Sequence, residues 1–271
     1  MTNHPRLLMC PPDHFQVRYE INPWMNVQRQ PAAASAQTQW QQLVASLGAH
    51  AEIVLCEPAP SRPDMVFTAN AGFVLDGRVV VSRFRYPERQ PEAPLFARWF
   101  ADAGFECLAW PDDVCFEGAG DCLADQDAAH LWLGHGPRSD IRAAALLAQA
   151  FQLPVYPLGL VDPRFYHLDT CFCPLADGHT LYYPTAFSAE SQMLIRAQIP
   201  IEKRIEVSEE DACQFACNAV GVGKHVFMNY ASARLQHELD SRGFQVHEVR
   251  VTEFLRAGGA VKCLSLNLDG A

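Results

Sequence analysis

The stretch Asn70-Ala-Gly-Phe-Val-Leu-Asp76-Gly77-Arg-Val-Val-Val-Ser82 reads as a β-hairpin. Asp-Gly between two runs of β-branched and aromatic residues is a strong signal for a tight turn. Pro91 to Gly104 then predicts a helix with Leu95, Trp99 and Phe100 on one side, and Phe105 to Trp110 predicts a returning strand. The unit is strand, strand, helix, strand.

No run of identical residues recurs along the chain, but this order of elements does. Asp121 to Leu133 predicts a second hairpin, Ile141 to Phe151 its Ala/Leu-rich helix and Pro154 to Leu160 its return strand. Asp169 to Tyr183, turning at Asp177-Gly178, predicts a third hairpin, followed by a helix over Ser188 to Gln198. Phe215 to Met228, turning near Gly221-Val-Gly223, predicts a fourth, followed by a helix over Ala231 to Ser241 closed by Gly243 and a strand over Phe244 to Val251. The last strand, Ala260 to Leu268, has no helix after it. The N-terminal region supplies one: Trp40, Leu43, Val44 and Leu47 lie at helical spacing within Gln39 to Leu47, and Ile53 to Cys56 follows as a strand. A fifth unit is therefore split between the two ends of the chain.

A polar or nucleophilic residue heads each unit: Asn70, Asp121, Asp169, Asn218 and Cys263, spaced 45 to 51 residues apart. Near-equal spacing predicts a ring in which these heads converge on one centre. The expected organisation is one catalytic α/β domain spanning residues 1–271.

Bulk properties limit the function. A hydrophobic fraction of 49 % with 19 % charged residues supports a substantial core rather than disorder. The net charge of −10 and the lack of a basic stripe argue against nucleic acid. Met1 to Pro12 is broken by prolines and carries no long apolar run, so neither a secretion signal nor a membrane anchor is expected there. Ten cysteines then suggest reduced thiols and a cytoplasmic location. Their spacing fits no zinc framework; Cys171 and Cys173 would share one face of a strand and pack in the core. Oligomeric state is not legible.

Several segments carry chemistry. Phe116-Glu-Gly-Ala-Gly-Asp121 sets Glu117 and Asp121 around a bend whose glycines would let backbone and carboxylates approach a ligand. It is no phosphate loop: the lysine is absent and two acids would repel a phosphate. His167-Leu-Asp169 would put an imidazole and a carboxylate on one face of a strand, suited to acid–base work beside a bound cation. Cys263 follows Gly258-Gly259-Ala-Val-Lys262, where a glycine pair would open an approach to the thiol. A cysteine peptidase fits poorly, because the histidine precedes the cysteine and the cysteine lies on an expected strand.

Together these segments resemble the guanidine-modifying, or pentein, superfamily, which includes arginine deiminases, dimethylargininases, amidinotransferases and arginine dihydrolases. Four motifs carry the resemblance, in order: Pro63-Asp-Met-Val-Phe-Thr-Ala-Asn70, Glu117-Gly-Ala-Gly-Asp121, His167-Leu-Asp169-Thr and Gly258-Gly-Ala-Val-Lys-Cys263. The resemblance implies a five-bladed α/β propeller of ββαβ units. It implies Cys263 as nucleophile and His167 as acid/base, with Glu117 and Asp169 on the guanidinium nitrogens and Asp64 on a substrate α-amino group. Arg89 and Arg138 match arginines that hold the substrate carboxylate; the plain alternative for both is a solvated surface charge. Asp121 belongs to the same expected binding set.

Many deiminases end the first motif in Arg-Asp, where this chain has Ala69-Asn70. That departure, and the start Met9-Cys-Pro-Pro-Asp-His-Phe…Tyr19-Glu-Ile-Asn22-Pro-Trp-Met25, looks like the dihydrolase branch, in which Asn22 and Asn70 line the site. The resemblance thus implies a cofactor-free, metal-free hydrolase taking arginine to ornithine, ammonia and carbon dioxide. Dimethylargininase or deiminase activity giving citrulline, amidino transfer to an amine, and silent binding of a guanidine remain the alternatives.

Overall fold

Asp76 and Gly77 turn with φ of 52° and 73°, the left-handed values that a two-residue hairpin needs to match the twist of its strands. The computed structural model describes residues 4–125 and 129–270. Fifteen strands are described in all. In chain order, β1 (Arg6–Met9), α1 (Ala33–Gly48) and β2 (Glu52–Leu55) come first. The next unit is β3 (Gly72–Leu75), β4 (Arg78–Val81), α2 (Ala93–Asp102) and β5 (Glu106–Cys107). It is followed by β6 (Cys122–Ala124), β7 (Leu131–His135), α3 (Ala143–Phe151) and β8 (Val155–Gly159). Then come β9 (Phe172–Pro174), β10 (Thr180–Tyr182), α4 (Ala189–Gln198), β11 (Arg204–Glu206) and a short α5 (Glu209–Cys213). The chain ends with β12 (Val220–Val222), β13 (His225–Met228), α6 (Ala233–Asp240), β14 (Gln245–Glu248), α7 (Thr252–Leu255) and β15 (Leu266–Asn267).

These strands form five three-stranded sheets of one design. The first two strands of each pair antiparallel, and the second and third pair parallel across an intervening helix. The fifth sheet joins the ends of the chain: β15 is antiparallel to β1, with Leu7 opposite Asn267, and β1 is parallel to β2 across α1. The split unit expected from the sequence is therefore present. Residues from β15, β3, β6, β9 and β12, the first strand of every sheet, line one cavity. The protein is a mixed α/β fold.

The helices pack by their apolar stripes. Ala36, Trp40, Leu43 and Leu47 of α1 are buried, and Val44 is half-buried beside them. In α2 the buried pair is Phe96 and Phe100, one turn apart, which puts Leu95 on the outer side, where it is exposed. The expected face of α2 was thus rotated by one residue.

Three further expectations are corrected. First, the strand over 260–268 shrinks to Leu266–Asn267. Upstream, the Leu264 amide reaches the Ala260 carbonyl (3.2 Å), and the Ala260 and Cys263 amides both donate to Asn218 Oδ1 (3.1 Å each). Donors used in that turn cannot serve a ladder, so Cys263 lies in a turn and not on a strand. Second, His167 is extended, but Leu168–Thr170 is a 3-10 turn whose third amide returns to the His167 carbonyl. His167 and Asp169 therefore do not share a strand face. Third, Cys171 precedes β9 rather than standing on it with Cys173; both are buried, their thiols donating to the carbonyls of Leu168 (3.6 Å) and Ala219 (3.4 Å). β11, α5 and α7 had no sequence signal. The tip of the second hairpin falls on residues 126–128, outside the described residues. No described helix is long and apolar enough to cross a membrane.

Candidate active site

The five unit heads are buried and linked in order by hydrogen bonds. Asn70 Nδ2 donates to the Glu117 carbonyl (3.1 Å), four residues before Asp121. Asp121 Oδ1 accepts from the Leu168 amide (3.1 Å), next to Asp169. Asn218 Nδ2 donates to the Asp169 carbonyl (3.0 Å). Asn218 Oδ1 holds the Cys263 amide, and the Cys263 carbonyl accepts from the Ala69 amide (3.1 Å), next to Asn70. Each head thus fixes the entrance to the next unit.

Glycines make this contact possible. A Cβ on Gly120 would stand 2.3 Å from Asn70 Nδ2, and Gly118, at φ 62°, has the Gly72 and Ala69 carbonyls within 2.9 Å of its own Cβ position. These glycines admit the neighbouring unit rather than a ligand, contrary to expectation. The pair Gly258-Gly259 behaves alike. A Cβ on Gly259 would meet Phe67 at 2.5 Å, and one on Gly258 would meet Asn22 Oδ1 at 2.8 Å.

A small cavity beside the heads is lined by Cys263, Asn70, Asn22, Asp64, Arg89 and Arg138, together with Phe67, Met25 and Tyr166. A wider cavity, sharing Ile21, Asn22, Met25, Arg138 and Tyr166, adds Tyr86, Pro23, Pro137 and Pro163. Cys263 is 3 % exposed. Its thiol donates to Asp169 Oδ2 (3.3 Å) and accepts from Asn218 Nδ2 (3.1 Å). Burial, reinforced by the Asp169 carboxylate, pushes the thiol well up. Burial also pushes the Asp169 carboxyl up to about 7, against the opposing pull of half-buried Lys262. Among the described residues, neither Asp169 Oδ1 nor Asp64 Oδ1 has a hydrogen-bond partner, although both atoms are buried. Two orphaned carboxylate oxygens in one site are costly unless a cation comes to meet them.

Glu117 Oε2 accepts from His167 Nε2 (2.7 Å) and Arg138 (3.0 Å), and Oε1 from the Arg85 amide (3.1 Å). Burial favours a neutral Glu117, but the Arg138 charge and the His167 contact outweigh it and hold the carboxyl below the ordinary range. His167 thus pairs with Glu117, not Asp169. Asp121 is absent from the cavity lining, as are Asp169, Glu117 and His167; its oxygens are taken by Ser139 (2.6 Å) and the Leu168 amide, so it braces the site. Burial sets its carboxyl at about 6.

The surface reading of the two arginines fails: Arg89 and Arg138 are 3 % and 2 % exposed. Arg89 pairs with buried Glu92 (2.8 Å) and donates to Asn70 Oδ1 (2.8 Å) and the Asp64 carbonyl (3.1 Å). Arg138 lies between the rings of Tyr86 (4.7 Å) and Tyr166 (4.6 Å) and donates to the Ile21 carbonyl (2.8 Å). Asn22 accepts from the Trp24 amide (2.9 Å) and donates to the Ala257 carbonyl (3.0 Å), pinning the N-terminal segment over the cavity.

Some participants escaped the sequence. Tyr19 donates to Asp64 Oδ2 (2.9 Å), Glu92 balances Arg89, and Tyr166 donates to the Gly258 carbonyl (2.8 Å). Only Asn218, which touches the thiol, had a signal, its place among the unit heads.

Residues 11–268 match the family described as N,N dimethylarginine dimethylhydrolase, eukaryotic. The chain is 50 % identical, over 99 % of its length, to the bifunctional arginine dihydrolase/ornithine cyclodeaminase AgrE of Nostoc sp., but covers only 38 % of that relative. It is 40 % identical to the N(G),N(G)-dimethylarginine dimethylaminohydrolase of Mycobacterium tuberculosis, over 97 % of this chain and 85 % of the relative. It superposes with a TM-score of 0.97, at 49 % identity and 98 % coverage of both chains, on the substrate-bound N-terminal domain of a serine-for-cysteine variant of ArgZ, an arginine dihydrolase from cyanobacteria. The chain belongs to the dimethylarginine dimethylhydrolase family, within the guanidine-modifying superfamily that its motifs resemble.

Proposed function

We propose that the chain is a catalytic five-bladed α/β propeller that hydrolyses the guanidinium group of free arginine to ornithine, ammonia and carbon dioxide. The ordered bonds between unit heads, and a cavity lined by the first strand of all five sheets, support the closed ring. Ten thiols favour a reducing compartment, the cytoplasm.

One observation carries the chemistry: the orphaned oxygens of Asp169 and Asp64 flank the same site as the Cys263 thiol. Asp169 takes guanidinium nitrogens beside Sγ, with Glu117 on the far side, and Asp64 takes the α-ammonium. Arg89 and Arg138 receive the α-carboxylate, Arg138 leaving Glu117 as it does so. Asn22 and Asn70 complete the wall. A cation docked against Asp169 relieves the burial that keeps the thiol protonated, so substrate entry and loss of the thiol proton to solvent are linked. The thiolate attacks the guanidinium carbon, and His167 gives a proton to the departing ammonia. Water, deprotonated by His167, adds to the amidino-thioether, and the C–S bond breaks to give citrulline in the site. A second attack on the ureido carbon and a second water release ammonia and carbon dioxide, leaving ornithine. Each molecule of arginine consumes two of water.

Asn70 favours this product over citrulline: its amide is held by Arg89 and the Glu117 carbonyl, so the guanidinium meets one carboxylate fewer than in a deiminase and can turn between steps. The family match and the mycobacterial relative keep dimethylarginine as the second reading. Product analysis by mass spectrometry with each substrate separates them. Ornithine from arginine supports the proposal; citrulline from dimethylarginine, with arginine untouched, overturns it. Loss of arginine only when an amine acceptor is supplied would instead identify amidino transfer.

A further inference from the structure

We propose a transition-metal site formed by His50, His225 and His247, outside the cavity that holds Cys263. The three imidazoles come from separate parts of the chain: His50 just after α1, His225 at the start of β13 and His247 on β14. One ligand atom from each lies within 4.8 Å of the others, the only such group of three among the described residues. His225 Nδ1 and His247 Nε2 stand 2.9 Å apart, and the His50 ring centroid is 4.0 Å from that of His225.

Nitrogen ligands at about 2.0–2.1 Å in a tetrahedral shell sit roughly 3.3 Å from one another. The His225–His247 nitrogen pair lies just inside that value and the remaining ligand-atom separations are at most 4.8 Å, so small ring rotations bring three lone pairs onto one ion. Phe227 stacks on His247 at 4.6 Å with the planes 13° apart, and lies 5.4 Å from His50, giving the rings an apolar backing. All three histidines are half-buried, which leaves a side open for water as the fourth ligand. His4 bonds the His50 carbonyl (2.9 Å) and puts a fourth imidazole beside the group. Three neutral imidazoles without a thiolate or carboxylate suit Zn²⁺, Ni²⁺, Co²⁺ or Cu²⁺ rather than Mg²⁺ or Ca²⁺.

The placement indicates a staple. β1 and β2, with α1 between them, belong to the sheet assembled from both chain ends, whereas β13 and β14 belong to the sheet before it. An ion held by His50, His225 and His247 would clip the N-terminal part of the split unit to the preceding sheet.

The plain alternative is a His225–His247 hydrogen bond packed on Phe227, with no ion. Titration of the untagged, chelator-stripped full chain with Co²⁺ distinguishes the two. The expected result is one Co²⁺ per chain, visible d–d absorption without a near-ultraviolet thiolate band, and a Tm higher by roughly 5 °C in saturating metal. His50→Ala, and separately His225→Gln with His247→Gln, should weaken binding by at least about tenfold and remove the Tm response. Circular dichroism in metal-free buffer checks that each variant is folded, and His50→Ala, outside the sheet, serves if the double variant is not. No stoichiometric uptake by the wild type, or uptake and Tm response unchanged in His50→Ala, overturns the site.

Discussion

Asn218 grips Cys263 at both ends: its Oδ1 accepts the Cys263 amide at 3.1 Å, and its Nδ2 donates to Cys263 Sγ at 3.1 Å. One side chain thus fixes the backbone turn that presents the proposed nucleophile and supplies a donor to the thiolate which that role requires. Asn218→Ala should lower kcat by about 100-fold, as loss of an oriented donor does elsewhere. It should also cost roughly 1–3 kcal/mol of stability, because the Ala260 and Cys263 amides lose their acceptor. Asn218→Asp keeps the amide acceptor but puts a carboxylate by the sulfur. It should be folded, and its thiol should alkylate with iodoacetamide only at higher pH than the wild type. An alkylation profile unmoved by Asn218→Asp would contradict this role.

The legible part of this site was its spacing. Asp-Gly turns and alternating helices marked the repeat, and the repeat placed Asn70, Asp121, Asp169, Asn218 and Cys263 at equivalent points. Local geometry was hidden for a physical reason. The 3-10 turn at Leu168–Thr170 and the turn at Ala260–Leu264 are held by contacts from other units, so neither has a local signal. His167 and Asp169 read as a pair on one strand, yet they face different partners, Glu117 and Cys263. Glu92 and Tyr19 were invisible because their importance lies in what they balance, Arg89 and Asp64.

Asp169 should trade stability for activity. Its carboxyl is raised from the usual value to about 7, with burial the main cause. Between about pH 4 and pH 7 the folded protein therefore holds a proton that the unfolded chain has released, and this group's contribution to stability falls as pH rises through that window. Asp169→Asn removes the penalty. The variant should be inactive yet more stable than the wild type at pH 8, by up to ~4 kcal/mol, with the gain shrinking towards pH 4. Urea unfolding at the two pH values checks it. Equal or lower stability of Asp169→Asn at pH 8 would count against a buried, uncompensated carboxylate.

Asn70→Asp tests the choice of product. The new carboxylate keeps the Arg89 contact but has no donor for the Glu117 carbonyl, so it should turn towards the cavity and hold the guanidinium more firmly. Citrulline should then accumulate at the expense of ornithine. Chromatographic quantitation of both products under single-turnover conditions gives the ratio, and an unchanged ratio would remove Asn70 from the explanation.

The central claim, covalent attack by Cys263 on the guanidinium carbon, is tested most directly by acid-quenching the protein during arginine turnover and measuring its intact mass and fragment spectrum. The prediction is an adduct equal in mass to arginine less ammonia, located on Cys263 and absent from Cys263→Ser, which forms no ornithine. Full turnover by Cys263→Ser, or an adduct on another residue, would contradict it.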